Sequence, residues 1–169
     1  MAKMFPDHPN LEGGFAPIHM EVDAPDLVVE GEIPKELRGV FFRNGPNPQF
    51  SPRGDYHWFG GDGMIHGFYF ADGKVSYRNR YVKTVKWKKE KEEGRSLFSA
   101  FNPLDSDPSV MGMETDGLAN TNIVYHAGKL LALEEAHAPF ELDPVSLESI
   151  GSHDFGGKFS GPMTCLLYT

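Results

Sequence analysis

Residues able to do chemistry are scattered along this 169-residue chain. Seven histidines occur: His8, His19, His57, His66, His126, His137 and His153. Imidazole is a common metal ligand, but compact sites usually announce themselves by paired spacing. Neither His-x-x-x-His nor His-x-His is present, and no histidine adjoins a carboxylate cluster of metal-binding type. His57 and His66 therefore read as hydrogen-bonding groups around the Gly-rich turn between them, and His126, beside a hairpin turn, reads as a surface residue. The one cysteine, Cys165, excludes an internal disulfide and points to a reducing compartment.

Three other patterns invite a chemical reading. Gly60-Gly61-Asp62-Gly63 has the glycine density of a phosphate loop, but it lacks GxxxxGK[ST] and no suitable helix follows. Its plainer role is a packing corner: glycines open backbone torsions closed to other residues, and Asp62 can accept from turn amides. A Ser/His/Asp arrangement finds no support, since no Gly-x-Ser-x-Gly elbow exists and Phe159-Ser160-Gly161 lacks that context. Glu134-Glu135 ends the apolar run Leu130 to Leu133. Adjacent strand residues face opposite ways, so one carboxylate points inward and needs a partner. A pair of strand-end charges is the competing reading.

The elements that must position these groups are short strands. Val40 to Arg43 reads as a strand closed by Asn44-Gly45-Pro46-Asn47-Pro48. Met64 to Phe70 and Val75 to Val82 flank Asp72-Gly73, a strong hairpin signal. Asn122 to His126 and Lys129 to Leu133 flank Ala127-Gly128; Phe140 to Leu142 and Ser146 to Ile150 flank Asp143-Pro144. Strand, tight turn, strand at short intervals indicates a sandwich, barrel or propeller without choosing among them. Lys86 to Glu93 breaks the pattern and reads as a solvated helix ended by Gly94, with a contact to anionic lipid as the minor alternative. Residues 1–17, rich in Pro, Gly and polar groups, read as a loosely ordered arm.

Composition narrows the class. A net charge of -8 argues against a general nucleic-acid role. No apolar run approaches the roughly 20 residues needed to span a bilayer, and the N-terminus lacks a signal-peptide pattern, so a cytoplasmic protein is expected.

Several motifs, taken in order, resemble the N-terminal part of the carotenoid cleavage dioxygenases. They are Arg43-Asn44-Gly45-Pro46-Asn47-Pro48, Tyr56-His57-Trp58-Phe59-Gly60-Gly61-Asp62-Gly63-Met64-Ile65-His66-Gly67 and Tyr77-Arg78-Asn79-Arg80-Tyr81. Further along come Asp107-Pro108-Ser109-Val110, Gly128 to Glu135 and Gly161-Pro162-Met163-Thr164. The wording is nearest to the bacterial branch related to lignostilbene cleavers. The resemblance implies an all-β fold, the first blades of a seven-bladed β-propeller, over residues 18–164. It also implies a non-haem Fe(II) dioxygenase that adds O₂ across a conjugated C=C of a carotenoid or apocarotenoid to give two carbonyls. A stilbene- or phenylpropanoid-cleaving enzyme and an inert fragment that binds hydrophobic ligands are the alternatives.

By position, Glu135 matches a glutamate that orients an iron-bound imidazole, and Phe59 matches an aromatic residue of the substrate cleft. Phe101 and Glu134 stand where the related stilbene cleavers place a Tyr and a Lys that grip the phenol. Phe101 cannot hydrogen-bond and Glu134 would repel a phenolate, which favours an apolar polyene. The family's four iron-binding histidines begin just after Thr164, where this chain reads Cys165-Leu166-Leu167-Tyr168-Thr169. The expectation is therefore a non-family tail over 165–169, no metal ligands within the chain, and iron only in a complete protein. Peripheral membrane contact stays open, because carotenoids partition into lipid.

Overall fold

The computed structural model describes residues 5–166; residues 1–4 of the expected arm and 167–169 of the expected tail lie outside the described residues. Two four-stranded antiparallel sheets dominate. The first contains β1 (Val22–Ala24), β2 (Gly39–Pro46), β3 (Gly63–Ala71) and β4 (Lys74–Tyr81) in the order β1-β4-β3-β2. The second contains β5 (Asn122–His126), β6 (Lys129–Leu133), β7 (Phe140–Leu142) and β8 (Ser149–Ser152), each beside the next in the chain. One α-helix, α1 (Val85–Glu93), and five short 3₁₀ turns complete the described structure. No helix among the described residues is long and apolar enough to cross a membrane.

The hairpins follow their turn chemistry. Asp72 and Gly73 both adopt positive φ (52° and 75°), as do Ala127 and Gly128 (49° and 81°), the geometry that closes a tight two-residue turn. β2 runs three residues beyond its expected end, pairing through Pro46 with Gly63. Two facts permit this. β2 lies at the edge of its sheet, where a missing N–H costs no ladder bond. Asn44 is also held there, its Nδ2 donating to Ala119 O (2.8 Å) and Asn122 O (2.9 Å) at the start of the second sheet.

β8 begins three residues later than expected. Asp143 Oδ1 accepts from the amides of Val145 and Ser146, and Leu147 N bonds Asp143 O. That turn consumes Ser146 to Glu148 before pairing resumes at Ser149.

The sheets meet on one core. Ile65 of β3 and Val82, just past β4, join Leu130, Ala132, Phe140 and Leu142 of the second sheet and Leu147 of the turn before β8, with Phe42 and Ile123 at its margin. Each fully buried apolar side chain here stabilises the fold by about 1.5–3 kcal/mol. Tyr69 reinforces the junction by donating toward Pro144 O and Val145 O at 3.1 Å.

Helix α1 forms where expected. Thr84 caps it by accepting from Trp87 N (3.2 Å), and Gly94 ends it in a left-handed conformation (φ 67°). The reading of a wholly solvated helix is corrected, however, because Lys86 and Glu90 are buried on its inner face. The described part of the N-terminal arm also packs: Leu11 is buried and the Phe15 ring meets Trp58 edge-on at 4.9 Å.

Candidate functional site

The aromatic turn is built around His57. Its Nδ1 accepts from Phe59 N (3.2 Å) and so opens the 3₁₀ turn Trp58–Gly60. The imidazole then stands between two rings, edge-on to Phe59 at 4.9 Å and to Phe101 at 5.7 Å. Both phenyl groups face outward, Phe59 at 45% exposure and Phe101 at 57%. Gly60 allows the approach: a methyl on its α-carbon would sit 3.0 Å from Ala100 Cβ and 3.2 Å from Phe101 Cε2. Phe59 and Phe101, more than forty positions apart in sequence, are thus brought to one wall.

That wall is pinned from behind. Asn120, 3% exposed, donates from Nδ2 to Phe59 O (2.6 Å) and Gly61 O (2.7 Å). The next residue, Thr121, bonds through its amide to Leu133 O (3.0 Å), the last strand position before Glu134. The turn carrying Phe59 and the strand end carrying Glu134 are therefore linked through two consecutive residues.

The two glutamates diverge, although β6 ends at Leu133 and both lie beyond it, Glu135 already in the following turn. Glu134 is the inward one, 8% exposed, and its Oε1 is hydrogen-bonded to His137 Nδ1. Gly117 makes room for this pair: a methyl there would lie 2.5 Å from Glu134 Oε1 and 2.6 Å from His137 Nδ1, at a φ of +85°. Glu135 is exposed and accepts from Cys165 Sγ at 3.4 Å. Burial, and then Glu135, push the Cys165 thiol up. The partnership of Glu134 with His137 was not legible in the sequence, although a three-residue separation beside a strand end is within reach of such a pair.

Among the described residues, no three of His, Cys, Asp and Glu gather to hold a metal ion. The donor set present does not fit an iron centre on its own.

A separate cavity of about 540 Å³ lies on the outer face of the first sheet, lined by Phe15, Trp58, Phe68, Arg43, His66 and Tyr77. His66 Nδ1 and Tyr77 Oη lie 2.7 Å apart. Burial, and then the Arg43 guanidinium, hold the His66 pKa below its ordinary value.

The sequence signature of the retinal pigment epithelial membrane protein family, the carotenoid oxygenases, matches residues 15–166. The chain belongs to this family. Lignostilbene-alpha,beta-dioxygenase isozyme III of Sphingomonas paucimobilis is 49% identical over 156 residues, covering 91% of this chain and 32% of the relative. Carotenoid 9,10(9',10')-cleavage dioxygenase 1 of Phaseolus vulgaris is 37% identical over 175 residues, covering 93% and 32%. The crystal structure of Pseudomonas brassicacearum lignostilbene dioxygenase superposes with a TM-score of 0.85 at 39% identity, covering 91% of this chain and 32% of that one. The chain spans about a third of the length of the curated relatives it matches.

Proposed function

We propose that this chain forms part of a non-haem Fe(II) dioxygenase with a β-propeller fold, one that cleaves a C=C bond of a carotenoid or apocarotenoid to two carbonyl products. The membership supports the reaction class, and two four-stranded antiparallel sheets, the second a simple meander, suit propeller blades. The described residues offer iron no ligand set, so its ligands are proposed to lie elsewhere in the whole protein. Glu135, exposed in the turn after β6, is the carboxylate proposed to orient one ligating imidazole.

One observation carries the substrate class. The wall formed by Phe59 and Phe101 presents bare phenyl rings, and Glu134, linked to the same turn through Asn120 and Thr121, is an acid engaged by His137. A phenol entering here meets neither a hydroxyl donor at position 101 nor a cation at position 134, whereas a polyene meets apolar surface. The stilbene or phenylpropanoid reading keeps standing on a specific finding, the 49% identity to a lignostilbene dioxygenase. The remaining alternative is a chain that binds hydrophobic ligands without turnover.

The test is a comparison of substrates on the whole protein translated from the source gene and loaded with Fe(II). An apocarotenal and a 4-hydroxystilbene are supplied with O₂, and the carbonyl products are identified by mass spectrometry. Cleavage of the apocarotenal is expected. Cleavage of the hydroxystilbene alone transfers the protein to the stilbene class, and turnover of neither leaves the binding reading.

A further inference from the structure

The inner face of α1 holds a buried ionic junction that the proposed chemistry does not use. Lys86 is 7% exposed and Glu90 1%. Lys86 Nζ donates to Asp62 Oδ1 and to Glu90 Oε2, both at 2.8 Å. Burial pulls the Lys86 pKa down, but the two carboxylates outweigh it and hold the ammonium charged, with its pKa raised. Each carboxylate spends its other oxygen on backbone. Asp62 Oδ2 accepts from Gln49 N (3.1 Å), and Glu90 Oε1 accepts from Leu97 N (2.8 Å) and Phe98 N (3.0 Å).

The junction therefore joins two chain segments that make no other ionic contact with each other in the described structure. One arm runs from Asp62 back through Gly60 to Phe59. The other runs from Phe98 forward to Phe101. Their tips are the two rings that close on His57. Packing alone does not call for such an arrangement, since apolar residues of similar volume often fill a buried site at lower cost than an ion pair. What ions add is direction: each oxygen and each N–H fixes one distance. We propose that Lys86 is a positioning residue, and that its two bonds set the separation of the Phe59 and Phe101 rings. The functional consequence rests on those rings being the cleft wall; the geometric claim stands without it.

The experiment uses the full 169-residue chain and needs no turnover, so failure of the dioxygenase reading and failure of this one are distinguishable. Ring-to-ring nuclear Overhauser effects between His57 and Phe101 are measured in the unchanged chain, in Lys86→Met and in the neutral triple variant Asp62→Asn/Lys86→Met/Glu90→Gln. Amide dispersion of β3 and β4 reports whether the sheet is intact. The expected result is an intact sheet with the His57–Phe101 effect lost and the His57–Phe59 effect kept, because the latter is local to the turn. Lys86→Arg, which retains a donor to both carboxylates, is expected to restore the lost signal. Persistence of the His57–Phe101 effect in either neutralised variant that folds overturns the proposal. Unfolding of both variants overturns it too, since the junction would then hold the whole fold rather than one spacing.

Discussion

Replacing Asn120 by alanine tests whether the aromatic turn is held from outside or by its own geometry. Asn120 is buried and its Nδ2 satisfies two carbonyls, Phe59 O at 2.6 Å and Gly61 O at 2.7 Å. Alanine removes both bonds. The Gly61 carbonyl belongs to a buried residue and loses most of its hydrogen-bond free energy, about 2 kcal/mol, whereas the Phe59 carbonyl belongs to an exposed residue and recovers water at a cost of about 1 kcal/mol. The sum is about 3 kcal/mol, which lowers the midpoint of thermal unfolding by about 6–12 °C for a domain of this size.

The assay is urea and thermal unfolding followed by tryptophan fluorescence, which samples the turn directly because Trp58 lies in it. Lys88→Ala, at an exposed helix position, serves as the comparison and is expected within about 0.5 kcal/mol of the unchanged chain. A midpoint shift under about 2 °C in Asn120→Ala refutes the reasoning, because the turn would then keep its shape without its only buried side-chain donor pair.

Gly117→Ala places a methyl against Glu134 Oε1 and His137 Nδ1 at a φ of +85°, so a loss of at least about 1–3 kcal/mol is expected in denaturant titration; a neutral outcome would falsify the tight packing of that pair. Phe140→Ala empties the centre of the core between the sheets and is expected to cost about 3–5 kcal/mol by the same measurement. His66 supplies a pH dependence. Its folded pKa is depressed below 6.5, so the stability of the neutral ring is fully present above that value and is lost as pH falls below it, where the unfolded chain takes up the proton first. His66→Asn is expected to flatten the stability profile below pH 6.5, and an unchanged acid slope counts against the half-buried neutral ring.

Local turn chemistry made much of the fold readable. β5, β6 and β7 fall where Ala127-Gly128 and the apolar runs place them, because a two-residue turn with positive φ fixes both strand ends at once. Where a distant group intervenes, the reading slips. Pro46 looks like a strand terminator, yet β2 continues through it because Asn44 finds acceptors more than seventy residues away. Asp143 looks like one corner of a tight turn, yet its carboxylate gathers two later amides and delays β8.

At the candidate site, one of the two glutamates does turn inward, but not by strand alternation: β6 stops at Leu133, and Glu134 is held inward by His137 while Glu135 lies in the turn. Lys86 and Glu90 were the clearest miss. An i,i+4 pair of opposite charge is the usual mark of a solvated helix face, and only the position of Asp62 in space makes this one interior.

The bare α-carbon at position 60 has an evolutionary corollary. It acts as a gauge: Ala100 and Phe101 can approach the turn as they do because a single carbon is missing there. Reshaping the wall therefore asks for one small substitution at 60 or at Ala100. The shape of this wall can drift by such steps among descendants of one ancestor.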